Sequence, residues 1–208
     1  DGHTSLVGNR YRVGEELGRG ASSVVVAATD SWLQDRPVAL KVLHRQAAEA
    51  GLEQHLRREF ANLYQLRHPH LLQVQASGNI EQNQLLPECD AGAFYIVEER
   101  LTGAPAHTWS EGKSPATLAT VGAQMAAALA CLHERGISHG DLKPDNILIA
   151  VGPLARLLDF GLSAREASPD IAGTPRFMAP EALQGAAGPA ADVYSLGVLM
   201  FHMVTGQP

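Results

Sequence analysis

A chain of 208 residues with 45% apolar side chains can build one large domain or two small lobes around a packed core, which excludes a disordered segment. A net charge of −6 without any Lys/Arg stripe argues against nucleic acid or an anionic membrane surface as the main partner. Two cysteines, Cys89 and Cys131, make no disulfide framework and fit a reducing cytoplasm, and the nine histidines lack metal-ligand spacing.

Residues 1–10 carry no pattern and read as a tail or linker. No signal peptide is visible, and a start at Asp1 rather than Met leaves the true N-terminus open. A strand is expected over 11–17, then G-R-G-A-S-S-V with Gly18, Gly20 and Ser23, then a β-branched strand over 24–28. Glycines in such a turn let backbone N–H groups approach a phosphate, although a plain hairpin turn has the same spelling. The third strand, 37–44, alternates Val38, Leu40 and Val42 with Ala39 and Lys41. Lys41 either lies on a solvated face or has an anionic partner, because a buried ammonium alone is costly. Helical spacing runs from 47 to 66 through Leu52, Leu56, Phe60, Leu63 and Leu66, and His68-Pro69-His70 ends it. Strands are expected over 71–80 and 94–97, joined by a polar loop over 81–92.

After Gly103-Ala104-Pro105 the pattern turns helical. Pro115 follows Ser114 as a first-turn residue, and Leu118, Val121, Met125, Leu129 and Leu132 follow at core-helix spacing up to Gly136. Cys131 there reads as a small buried hydrophobe. No apolar run reaches the roughly 18 residues of a membrane span. Then comes I-S-H-G-D-L-K-P-D-N-I-L-I, a turn at Gly152-Pro153, and A-R-L-L-D-F-G. Two short apolar runs around that turn predict a hairpin, which returns Asn146 and Asp159 to the same end. Mg²⁺-assisted phosphoryl transfer needs such groups: a carboxylate for the attacking hydroxyl, here Asp141, and a carboxylate with an amide oxygen for the metal. The last stretch, 192–206, is an almost wholly apolar helix.

D-L-K-P-D-N followed by L-L-D-F-G resembles the catalytic loop and metal-binding motif of eukaryotic-like (Hanks-type) serine/threonine protein kinases. The Gly turn, V-A-L-K, a helix Glu, M-A-P-E at 178–181 and D-x-x-x-x-G from Asp192 occur in the family's order, so the resemblance covers residue 11 to the end. It implies an α+β, bilobal fold: a small antiparallel sheet with one helix over 11–103, then a mainly helical lobe over 104–208 that stops short of the family's last helices. It implies an ATP- and Mg²⁺-dependent enzyme acting on Ser/Thr hydroxyls of proteins, with further domains or a partner beyond residue 208. Alanine-rich spelling and a short activation segment suggest a bacterial source.

Position by position, the resemblance implies Asp141 as catalytic base, Lys143 on the transferred phosphate, and Asn146 and Asp159 on the metal. Lys41 would hold the α/β-phosphates and Glu59 would hold Lys41, with Glu53 the lesser candidate. Gly18, Gly20 and Ser23 would cover the phosphates, although Ser23 replaces the usual third glycine. Val25, Ala39 and Leu148 would sandwich the adenine, and the hinge backbone would run from Glu99 to Leu101. Glu98 falls where a larger hydrophobe or Thr usually stands, and should contact Lys41 or solvent. Thr174 belongs to the substrate loop, and Asp192 should anchor the catalytic-loop backbone. Gly140 replaces the usual Arg and so offers no fork to grip an activating phosphate. The same H-G-D spelling leaves a small-molecule phosphotransferase of the aminoglycoside-kinase type as a rival. A pseudokinase-like binding module is the second, although Lys41, Asp141 and Asp159 are all present.

Overall fold

The computed structural model describes residues 6–20, 23–44, 54, 57, 60, 61, 63–81, 92–159, 175–185 and 188–207. The chain divides into two compact units: Asp1–Leu66 with Gln73–Arg100, and Arg67–Leu72 with Leu101–Pro208.

The first unit is an antiparallel six-stranded sheet in the order β1-β2-β3-β4-β6-β5. Its strands are β1 (Leu6–Val7), β2 (Tyr11–Arg19), β3 (Ser23–Asp30), β4 (Arg36–Leu43), β5 (Val74–Asn79) and β6 (Phe94–Glu99). Alternation divides the two faces. Val24, Val26, Ala28, Val38, Leu40, Val42, Tyr95 and Val97 close one core with Val7 and Tyr11. Val25, Ala27, Ala39, Lys41, Ile96 and Glu98 therefore share the opposite face. Residues 54, 57, 60, 61, 63 and 64 are helical. The Arg57 guanidinium stacks 4.4 Å from the Phe94 ring centre.

Residues 6–10 are not a loose tail. Val7 is buried, β1 pairs with β2, and Arg10 grips the buried Asp30 through Nε–Oδ1 (2.8 Å) and Nη2–Oδ2 (2.6 Å). That bidentate pair holds the Asp30 carboxyl below its ordinary range. A two-residue strand and a single ion pair leave too little pattern to be legible in advance. The expected strand over 71–80 is also shorter. It starts at Val74, and Leu71 instead bridges in parallel to Leu157 in the second unit. There Leu157 N–H donates to His70 O (2.9 Å) and Leu72 N–H to Leu157 O (3.0 Å).

The second unit holds α1 (Ala106–Ser110), α2 (Pro115–His133), α3 (Pro189–Thr205) and a small sheet β7-β8-β9. In that sheet β7 is Ala104–Pro105, β8 is Ile147–Ala150 and β9 is Leu154–Leu157. Ser114 caps α2, its hydroxyl accepting from Thr117 N–H (3.2 Å), and Pro115 occupies the first turn. Leu118, Val121, Met125, Leu129 and Leu132 form its buried row. α2 has the length and apolarity of a membrane span, with a mean hydropathy of 1.4, but that buried row makes it the core helix of this unit, and one such helix establishes no span. Cys131 is only half-buried, its Sγ 3.4 Å from Arg135 Nη1. α3 begins a turn earlier than expected, because Pro189 is already set for a first helical turn, and it stops at Gly206 (φ +68°).

Candidate active site

The stretch expected to be catalytic lies entirely in the second unit. After α2, Gly136 takes φ +70° and releases the chain into the loop 137–143. The turn Pro144–Asn146 leads straight into β8. The β8–β9 register pairs Ile147 with Leu157, and Leu158 N–H donates to Asn146 O (2.8 Å). Asp159 follows Leu158 directly. The hairpin thus sets Asn146 and Asp159 at one end, with Gly152 (φ +79°) turning the other.

Asp141 is held from two sides. Lys143 Nζ donates to Asp141 Oδ2 (2.6 Å), and Asn146 Nδ2 donates to Asp141 O (2.7 Å) and Oδ2 (3.3 Å). Asn146 is buried and spends its amide nitrogen on Asp141, which leaves the amide oxygen as its remaining polar atom. Asp159 has φ +50°, a left-handed backbone that Asp tolerates better than most residues.

Two residues to which sequence reasoning gave no role organise this region. His139 is fully buried. Its Nδ1 accepts from Asp141 N–H (3.2 Å), so Nε2 carries the proton and donates to Leu158 O (2.9 Å). The ring therefore ties the backbone of Asp141 to the residue before Asp159. Burial pushes its pKa down, which keeps it neutral. His133 Nε2 lies 2.8 Å from Asp192 Oδ2, on α3. The buried Asp192 carboxylate also accepts from His139 N–H and Gly140 N–H, each 2.8 Å away, as the expected anchor of the loop. Gly140 has φ +78°, a conformation that disfavours the Arg usual there. The spacing of His133 six residues ahead of His139 was the available signal, but the nine scattered histidines hid it.

The other expected residues of the second unit are Leu101, half-buried ahead of β7, and Leu148, half-buried opposite Pro105. Thr174 lies outside the described residues. In the first unit, Gly18 pairs with Val25, and Gly20 N–H donates to Ser23 O (2.8 Å) to close the β2–β3 turn. Lys41 stands between Val25 and Ile96, and Ala39 between Ala27 and Glu98. Glu99 ends β6, its carboxylate accepting from Gln73 N–H (2.8 Å). Glu59 and Glu53 lie outside the described residues. Glu98 is largely buried, at 9% relative exposure.

The two groups expected to meet a metal, the Asn146 amide oxygen and the Asp159 carboxylate, would give a small all-oxygen donor set. Mg²⁺ is usually met this way, with phosphates and water completing its shell. Among the described residues no cluster of three or more His, Cys, Asp or Glu could hold a metal by itself.

Several known proteins resemble this chain along its length. A probable serine/threonine-protein kinase of Corynebacterium efficiens is 33% identical over 99% of this chain and 32% of its own length. Serine/threonine-protein kinase PkaA of Streptomyces coelicolor is 32% identical over 97% of this chain and 40% of its own. PknK of Mycobacterium tuberculosis is 35% identical over 92% of this chain and 17% of its own. The chain therefore spans well under half the length of these relatives. The protein kinase domain family matches residues 11–208, nearly the whole chain. With that match, and with Asp141, Lys143 and Asn146 bonded together ahead of the hairpin that carries Asp159, the chain belongs to the protein kinase domain family.

Proposed function

We propose that this domain transfers the γ-phosphate of ATP, with Mg²⁺, to Ser or Thr hydroxyls of protein substrates in the cytoplasm. The observation that carries the reading is the Asp141 carboxylate fixed by Lys143 and Asn146. A carboxylate so held can accept the proton of an approaching hydroxyl while Lys143 offsets charge on the transferred group. Asn146 and Asp159 would hold the metal, which when bound offsets phosphate charge and orients the phosphates. Lys41 would hold the α/β-phosphates and Glu59 would orient Lys41. Gly18, Gly20 and Ser23 would bring backbone N–H groups to the phosphates. Val25, Ala39 and Leu148 would supply the apolar contacts of the base, and the hinge backbone from Glu99 to Leu101 its polar edge. Thr174 would position the substrate segment. Protein rather than small-molecule acceptors are favoured by D-L-K-P-D-N and M-A-P-E, while H-G-D alone suits either.

The test incubates the full-length protein with labelled ATP·Mg²⁺, a generic protein substrate and competing aminoglycoside or choline acceptors, followed by phospho-residue analysis. Label on Ser/Thr of protein is expected. Label confined to the small acceptors would overturn the assignment.

A further inference from the structure

Glu98 is an acid buried in β6, whose other residues on that face, Phe94 and Ile96, are apolar and buried. It sits on β6 opposite Ala39, with Val74 on its other side. A buried carboxylate must be paired, hydrogen-bonded or protonated. Its surroundings narrow the choice. The Gln75 amide nitrogen, at the adjacent β5 irregularity, has no hydrogen-bond partner and so does not serve Glu98. Arg57 packs on Phe94, four residues and about 13 Å along the strand, and donates to Asn79 Oδ1 (2.7 Å). Lys41 is nearer. The register pairs Lys41 with Ile96 and Ala39 with Glu98, so Lys41 and Glu98 are diagonal neighbours on one face. Diagonal positions lie about 7–8 Å apart, within reach of two long side chains.

We propose that Glu98 is a second carboxylate partner of Lys41, additional to Glu59 and built into the sheet itself. Strand pairing fixes Glu98 beside Lys41 regardless of Glu59. Glu98 therefore keeps the ammonium charged and aligned when no nucleotide is present. Its consequence for phosphate binding rests on the proposed role of Lys41; the pairing does not.

The test is amine acylation of the full-length protein without nucleotide, read as the ratio of label on Lys41 to label on the exposed Lys113 by peptide mass spectrometry. An amine reacts when deprotonated, and losing a paired carboxylate lowers a lysine pKa. Glu98→Gln should raise the Lys41 ratio at least about threefold, a change of half a pKa unit or more. The rise should be larger in a Glu59→Ala background, where Glu98 would be the remaining partner. Glu98→Met, which replaces the acid with packing volume, should act alike and covers the case in which the Gln variant fails to fold. Thermal melts exclude unfolding as the cause. An unchanged ratio in both backgrounds would overturn the proposal. Because no phosphate is transferred in the assay, that result is separate from failure of the kinase reading.

Discussion

Asp141 and Asp159 are both carboxylates near Asn146, but their surroundings give them different work. Asp141 is bonded to Lys143 and Asn146. Asp159 extends from the hairpin end in a left-handed conformation. Asp141→Asn should abolish transfer and leave nucleotide affinity nearly intact. Asp159→Asn should abolish transfer and weaken Mg²⁺-dependent binding as well. Calorimetric titration of nucleotide with and without Mg²⁺ checks this, and equal affinity loss in both variants would contradict the division. His139 sets a pH limit on stability. Its folded form is neutral and burial lowers its pKa, while the unfolded imidazole titrates near 6.5. The unfolded state therefore binds the proton first. Stability should be complete above about pH 6.5 and fall below it, by at most about 1.4 kcal/mol per pH unit for this group. The half-buried His68, whose pKa partial burial also lowers, acts in the same direction. Urea unfolding between pH 8 and 5 should show the decline, and His139→Gln should reduce its slope.

At the scale of elements, the hairpin β8–β9 is useful only if its turn is fixed to something rigid. Gln124 on α2 provides this. Its Nε2 donates to Pro153 O (3.1 Å) and its Oε1 accepts from Ala155 N–H (2.7 Å). One amide thus clasps both sides of the turn whose opposite end carries Asn146 and Leu158. Gln124→Leu leaves an N–H and a carbonyl without partners and should cost about 1–3 kcal/mol in denaturant unfolding. Gln124→Glu keeps the acceptor and loses the donor, so its loss should be smaller. Equal losses for the two would show that packing, rather than the bonds, holds the turn. The Gln was visible in the sequence as the one long polar side chain between Leu118 and Leu132. Its partner was not visible, because nothing local links α2 to a turn some thirty residues later.

For the whole molecule, α3 matters most. One side carries Asp192 and the buried Ser195, Leu199 and Met203. The other exposes Val193 (62%), Tyr194 (47%), Phe201 (55%) and Val204 (58%). A contiguous apolar strip of this kind drives association. A polypeptide of these 208 residues alone is expected to self-associate, and light scattering after size exclusion would report it. Replacing Phe201 and Val204 with Ser should reduce the associated fraction, while a monodisperse parent would sink the expectation.

The sequence by itself determined the order of the longer strands and helices, the hairpin around Gly152 and the family, because each rests on local spacing or on motifs read along the chain. The family resemblance, carried by D-x-x-x-x-G, also pointed to Asp192 as the loop's anchor. Only the tertiary structure decided that Arg10 and Asp30 lock the first residues into the sheet, and that residues 67–72 join the second unit through Leu157. It also decided that His133, His139 and Asp192 hold the catalytic loop together. Those contacts join residues far apart in sequence, and buried polar groups choose partners by proximity in space. A linear pattern of apolar and polar residues records which groups are buried, but not which of them meet.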